Sequence, residues 1–259
     1  MRAPAVSSWL SRAFLLIVAG LKFSKLFGTV GTMLLSIGAY ALVFGWRYAV
    51  GIVAMLFFHE MGHYAAARQR GLRVGLPMFI PFAFAWVKLE DMPHDAETDA
   101  YIALAGPMLG TVAAIGTYFL ARDQGSSWLM AVAYTGFFIN LVNMIPLPPL
   151  DGGRITAVLS PRIWLLGVPI IGALMFFHFS MILLLVAILA LPHVWAALQF
   201  NRNDAANAQY FAVSPRVRWE YGLLYVGLIA FLAYMTNEVD QQLDGIRRHH
   251  VEQTETDTV

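Results

Sequence analysis

Residues 48–67 read YAVGIVAMLFFHEMGHYAAA. No residue from Tyr48 to Phe58 is charged, and then His59, Glu60 and His63 appear inside the same run. About twenty residues of helix cross the hydrocarbon core of a bilayer, so this stretch is long enough to span. The rest of the chain says what surrounds it. Of 259 residues, 59% are hydrophobic and 13% charged, against roughly 45–50% apolar residues in an average soluble domain. Its apolar runs cannot all be hidden in one water-soluble core of this length, so the bilayer must be the solvent. The fold class read from this is an all-α polytopic membrane protein.

A helix that carries ionisable groups at membrane depth bears a cost that packing alone rarely justifies, and such groups are usually functional. At i and i+4, His59 and His63 project from one helix face about one turn apart and can close on a single metal ion. Cysteine is absent, so thiolate sites, disulfides and cysteine catalysis are excluded, and further ligands must come from His, Asp or Glu. A catalytic zinc takes three protein ligands and keeps a fourth position for water, whose pKa falls to about 7. Glu60, beside the pair, is the natural acceptor for that water's proton. The blander reading makes the three residues a hydrogen-bonded cluster between helices.

The third ligand has to come from elsewhere. Residues 143–154 read NMIPLPPLDGGR, where prolines stop a helix and glycines permit a tight turn. Asp151 lies in this broken corner at the end of another apolar run, where a carboxylate can turn inward. Alone, Asp-Gly-Gly is more often a plain turn. Arg154 is open to two readings, an approach to the site or an ordinary cytosolic anchor.

Around these motifs the apolar runs predict spans at 29–46, 48–67, 100–121, 128–145 and 219–235, with a hairpin of two short spans over 163–199 turning near His178. Counting the hairpin as a single membrane element, the chain is one membrane domain of about six transmembrane helices. Residues 13–21 are too few to span, and no small-x-small cleavage pattern follows them, which favours an interfacial helix in 1–28 over a cleaved signal. Between the second and third spans, Pro77, Pro81 and a Phe, Ile, Trp and Val content favour a short sheet or re-entrant hairpin. Asp95, Glu97 and Asp99 precede the third span as acids suited to a helix N-terminus. The expected organisation is a membrane domain over 29–236 and a mobile polar tail over 237–259.

With the spans so drawn, Arg12, Lys22, Lys25, Arg68, Arg70, Arg73, Lys88, Arg154, Arg162, Arg202, Arg216 and Arg218 fall on one side, and Arg47 and Arg122 on the other. The positive-inside bias makes the first side cytosolic and sets the metal motif nearer to it. A net charge of +1, with no dense basic patch, gives no reason to expect nucleic acid. His94, His178 and His193 lie near span ends, where imidazoles can sit wet.

Three elements taken in order resemble the site-2 proteases, the intramembrane zinc metalloproteases of peptidase family M50. His59-Glu60-Met61-Gly62-His63 is similar to that family's HExxH, Ala105-Gly106-Pro107 to its Gly-Pro, and Asn143 through Gly153 to its N-x-x-P-x-x-P-L-D-G. The resemblance implies one Zn2+ per chain held by His59, His63 and Asp151, water activated by Glu60, and substrate contact by Asn143, with Asn140 as a helper one turn earlier. It implies a multi-pass membrane enzyme, in the cytoplasmic membrane if prokaryotic. Its substrate would be a transmembrane or membrane-tethered protein, unwound and received as an added strand somewhere in 72–90. No PDZ-like or CBS-like segment is recognisable, so a minimal form is expected; oligomeric state leaves no trace in the sequence. The rivals are a zinc transporter or metal sensor, a silent scaffold, and a protease with Glu90 or Glu97 as third ligand. A transporter gives no reason for a carboxylate beside an open metal position.

Overall fold

The structure, a computed structural model, describes residues 28–82, 84–201 and 204–256. The expected interfacial segment before residue 28 lies outside them. Helix α1 (Gly28–Phe44) is followed after Gly45 by α2 (Trp46–Gln69), which carries the histidine motif. Strands β1 (Met78–Ile80) and β2 (Phe84–Trp86) pair antiparallel with Phe79 opposite Ala85. They form the hairpin expected from the Pro77 to Pro81 stretch, and Val74 and Leu89 bridge below it. Helices α3 (Ala96–Asp123) and α4 (Ser127–Asn143) come next. The proline corner then leads into a short α5 (Asp151–Ala157).

The second half of the chain follows the composition closely. A 3-10 turn (Pro161–Leu166) runs into α6 (Gly167–Phe177), and α7 (Met181–Leu198) returns. The break between them falls at His178, as the length of the apolar run requires, and Ser180 caps α7 by accepting from Ile182 N at 3.3 Å. After α8 (Ala205–Tyr210), α9 (Pro215–Thr256) is one helix of 42 residues. The polar stretch from Asn237, expected to be mobile, continues this helix instead. Val239 is fully buried and Leu243 nearly so in the main core. Two apolar residues one turn apart suffice to dock a helix that otherwise looks too polar to bury anything, and packing passes the expected limit at residue 236.

Among the described residues, α3, α7 and the Pro215–Ile246 part of α9 are long and apolar enough to cross a membrane by themselves. The helices Gly28–Phe44 and Ser127–Asn143, and the segment Pro161–Phe177, are apolar but shorter. Helix α2 falls outside both groups. Its ends carry Arg47 and Arg68 and its interior His59, Glu60 and His63, which dilute its apolar half. The protein is mainly helical with one two-stranded sheet, and it is an integral membrane protein. Leu185, Ile188, Leu189, Leu191 and Trp195 of α7 stand exposed, as they do when lipid is the neighbour.

Helices α2, α3, α4 and α9 share the core, where Met55, Leu104, Phe137 and Leu232 are buried together. Close approach rests on glycine, as is usual where helices associate in lipid. A Cβ on Gly62 would strike the carbonyl of Ala105 in α3, and one on Gly51 would strike Val132 in α4. Helices α6 and α7 stand apart from this bundle. They pack with Trp164 on Ile145 and Leu147 of the proline corner, and a cavity remains between α7 and the α2–α4 face.

Candidate metal centre

His59 and His63 sit on the buried face of α2, with 4% and 7% of their surfaces exposed. A backbone carbonyl can only accept. The Nδ1 of His63, 2.8 Å from Ile102 O, therefore carries its proton there. His59 Nδ1 lies 2.8 Å from Asn140 Oδ1. The amide of Asn140 is oriented by its other end, where Nδ2 donates to Gly136 O at 2.7 Å. Oδ1 is then the acceptor and His59 Nδ1 the donor. Each ring is thus held with its Nδ1 donating, so that a neutral imidazole here presents its Nε2 lone pair.

Those lone pairs face each other. His59 Nε2 and His63 Nε2 are 3.1 Å apart, and Asp151 Oδ2 lies 3.1 Å from the first and 3.3 Å from the second. Three acceptors brought together without a proton between them repel one another unless a cation sits among them. Two nitrogens and one carboxylate oxygen form the three-ligand donor set of a catalytic zinc. Among the described residues this trio is the single group of three His, Asp or Glu that could hold a metal ion. Glu90 and Glu97, the alternative third ligands, take no part in it, nor do His94, His178 and His193. His193 instead meets the ring of Trp164 edge-on.

Asp151 is brought there by a tightly built corner. It is the first residue of α5, after Leu150 in extended backbone. Gly152 lies against the Met144 carbonyl and Gly153 against Pro148, where any Cβ would collide. Trp164 Nε1 donates to Gly153 O at 2.7 Å, and the Tyr225 hydroxyl of α9 donates to Met144 O at 2.5 Å. The third span supplies room rather than ligands. A Cβ on Gly106 would enter the His63 ring, and one on Gly110 would enter the amide of Asn140.

Glu60 is 5% exposed and lines a cavity of about 490 Å3 with His59, His63 and Asp151. Tyr40, Leu56, Phe138 and Val142 make most of that wall apolar, Asn143 adds an amide, and Ala85, Trp86 and Val87 bring the β2 strand to it. Asn140 is not among the residues that line the cavity: it is 2% exposed, with both ends of its amide engaged by His59 and Gly136. Helical spacing could have hinted at this, since Asn140 and Gly136 are one turn apart.

Arg154 approaches the site. Its Nε and Nη2 donate to Asp99 Oδ1 at 3.0 and 2.6 Å, and its Nη1 stands 3.9 Å from Asp151 Oδ1. Asp95 alone caps α3, accepting from Thr98 N at 2.7 Å. Asp99, one turn further on, is the partner of Arg154 instead.

The chain is similar in sequence to known proteins. Residues 47–128 match the sequence model of peptidase family M50, a stretch that holds His59, Glu60 and His63 and ends before Asp151. The chain is 26% identical over 176 residues to the putative zinc metalloprotease MJ0611 of Methanocaldococcus jannaschii, covering 56% of this chain and 92% of that protein. It is 31% identical over 75 residues to the probable chloroplastic zinc metalloprotease EGY1 of Arabidopsis thaliana, covering 27% of this chain and only 14% of that one. Against the zinc metalloprotease MJ0392 of M. jannaschii it is 26% identical over 110 residues, covering 40% of this chain and 32% of the relative. Among solved structures, the site-2 protease from M. jannaschii aligns with a TM-score of 0.42 and 20% identity, over 64% of this chain and 85% of that one. The chain is a membrane-embedded zinc metalloprotease. The match to the model of peptidase family M50 is confined to residues 47–128.

Proposed function

We propose that this enzyme hydrolyses peptide bonds of membrane-spanning or membrane-tethered proteins within or beside the bilayer, in the manner called regulated intramembrane proteolysis. His59, His63 and Asp151 hold the zinc ion, Glu60 is the general base, Asn143 contacts the substrate and Asn140 orients His59. The observation that carries this reading is the convergence of two Nε2 lone pairs and one carboxylate oxygen, all within 4.8 Å, on a cavity that Glu60 also lines. Zinc held there supplies Lewis acidity, which makes water a nucleophile near neutral pH and polarises a carbonyl. The Glu60 carboxylate takes the proton of the attacking water and passes it to the departing amine nitrogen as the C–N bond breaks. The Asn143 amide holds the substrate backbone.

A transmembrane helix is a poor substrate while its own hydrogen bonds hold, so a stretch of it must unwind. Strand β2, beside Val87 on the cavity wall, offers replacement backbone bonds in a site shielded from lipid. The membrane domain holds about six transmembrane helices, and the distribution of Arg and Lys sets the site nearer the cytosolic face, of a cytoplasmic membrane in a prokaryote.

The deciding experiment uses full-length protein in detergent and in liposomes, with a single-span substrate. Glu60→Gln is expected to keep one zinc per chain and to lower cleavage by about 10²–10⁴-fold; full cleavage by this variant sinks the general-base assignment. Val87→Pro removes a backbone donor from the cavity wall. It should reduce cleavage of a helical substrate with zinc content unchanged, and loss of zinc along with activity marks the segment as structural only.

A further inference from the structure

Arg154 and Asp99 form a half-buried ion pair between α5 and α3, placed one side chain away from the candidate metal centre. The two oxygens of Asp151 face different partners. Oδ2 points at both imidazoles, at 3.1 and 3.3 Å, whereas Oδ1 is 3.9 Å from Arg154 Nη1. A carboxylate's terminal torsion is broad and two-fold, so nothing intrinsic to Asp151 selects the plane that aims one oxygen at the histidines. The guanidinium can bias it by charge, since its Nη1 stands 3.9 Å from Oδ1, an ion-pair distance longer than a hydrogen bond. Nε and Nη2 are both committed to Asp99 Oδ1 at 3.0 and 2.6 Å, which leaves the Nη1 side turned toward Asp151. The hydroxyl of Tyr210, 3.4 Å from Asp99 Oδ2, borders the pair from α8.

We infer that Arg154, locked by Asp99, is a positioning residue for the metal centre, holding the plane of the Asp151 carboxylate so that Oδ2 alone is presented to the ion. Asp99 acts through Arg154 and touches neither metal nor substrate. Lysine at 154 could attract one carboxylate as a point charge, but has no second arm to face Asp151 while it holds Asp99. This inference rests on the assignment of Asp151 as a ligand in the proposed function.

The test measures zinc affinity by chelator competition, and the visible absorption of the cobalt(II)-substituted protein, on full-length Arg154→Gln, Arg154→Lys, Asp99→Asn and Asp151→Ala. Partners of a metal ligand typically contribute about 10–100-fold in metal affinity. Arg154→Gln is expected to weaken zinc within that range and to shift the cobalt band. Arg154→Lys should recover part of the affinity but not the band, and Asp99→Asn should shift the band in the same direction. A purely structural tether lowers thermal stability and leaves the band of bound cobalt unchanged, and that result overturns the proposal. Should Arg154→Gln fail to fold, the Lys and Asp99→Asn variants decide by the same criterion. Asp151→Ala separates the two levels. If it abolishes binding while the Arg154 variants match wild type, only the positioning role falls; if it binds zinc like wild type, the ligand assignment falls and this inference with it.

Discussion

His59 and Asn143 both draw attention as polar residues in apolar surroundings, yet the chemistry asked of their neighbours differs. Asn140 receives the Nδ1 proton of His59 and so keeps Nε2 free for a metal; Asn143 borders the cavity, with its own Nδ2 donating to Ile139 O at 3.0 Å. Replacing the two should therefore give opposite phenotypes. Asn140→Ala removes the acceptor that fixes the His59 tautomer and is expected to weaken zinc by about 10–100-fold, read by chelator competition. Asn143→Ala should leave zinc affinity at the wild-type value and raise KM or lower kcat. The same outcome for both variants would falsify this division of labour. From sequence the two asparagines, three positions apart, were candidates for the same task. What separates them is helical phase: one points into the packed α2–α4 seam and the other into the cavity.

At the scale of elements, the hairpin beside the cavity is held by more than its short strands. Below it, Gly75 N donates to Lys88 O and Glu90 N to Arg73 O, both at 2.9 Å, and Asp91 closes the base by accepting from Arg73 N at 2.9 Å and from its guanidinium at 2.7 Å. Those hydrogen bonds from Arg73 hold the Asp91 carboxyl down to about 2. A carboxyl whose folded pKa is depressed contributes stability that is fully present above its unfolded value of about 3.9 and is lost as pH falls through the folded one. Backbone hydrogen exchange over residues 73–91 should accordingly carry no clamp-dependent change from neutral pH to roughly 4. It should gain a component from the opening clamp as pH falls toward about 2. Asp91→Asn should remove that step and raise exchange at neutral pH. Exchange with the same pH profile in the two proteins would dismiss the clamp. The hairpin itself was legible from Pro77, Pro81 and the β-branched and aromatic residues between them. Its closure by Arg73 and Asp91, 18 residues apart, was not, because a surface pair of this separation leaves no periodic signature.

Over the whole molecule, composition and motif order sufficed for a good deal. A chain with 59% hydrophobic residues must use lipid as its solvent, and the HExxH spacing on a helix brings His59 and His63 together whatever the remainder does, since the 3.6-residue period guarantees it. The turn near His178 follows from length alone. The extent of α9 does not: Val239 and Leu243 sit in a polar stretch, and only the surface waiting for them on the bundle makes them core. Likewise Asp151, 88 positions from His63, reaches the two imidazoles only because α5 is seated by glycines on the Met144 and Pro148 backbone and tied by Trp164 and Tyr225. Local chemistry and periodicity are written in neighbouring residues and can be read there. Long-range convergence depends on how helices pack against one another, and that was decided only by the tertiary structure.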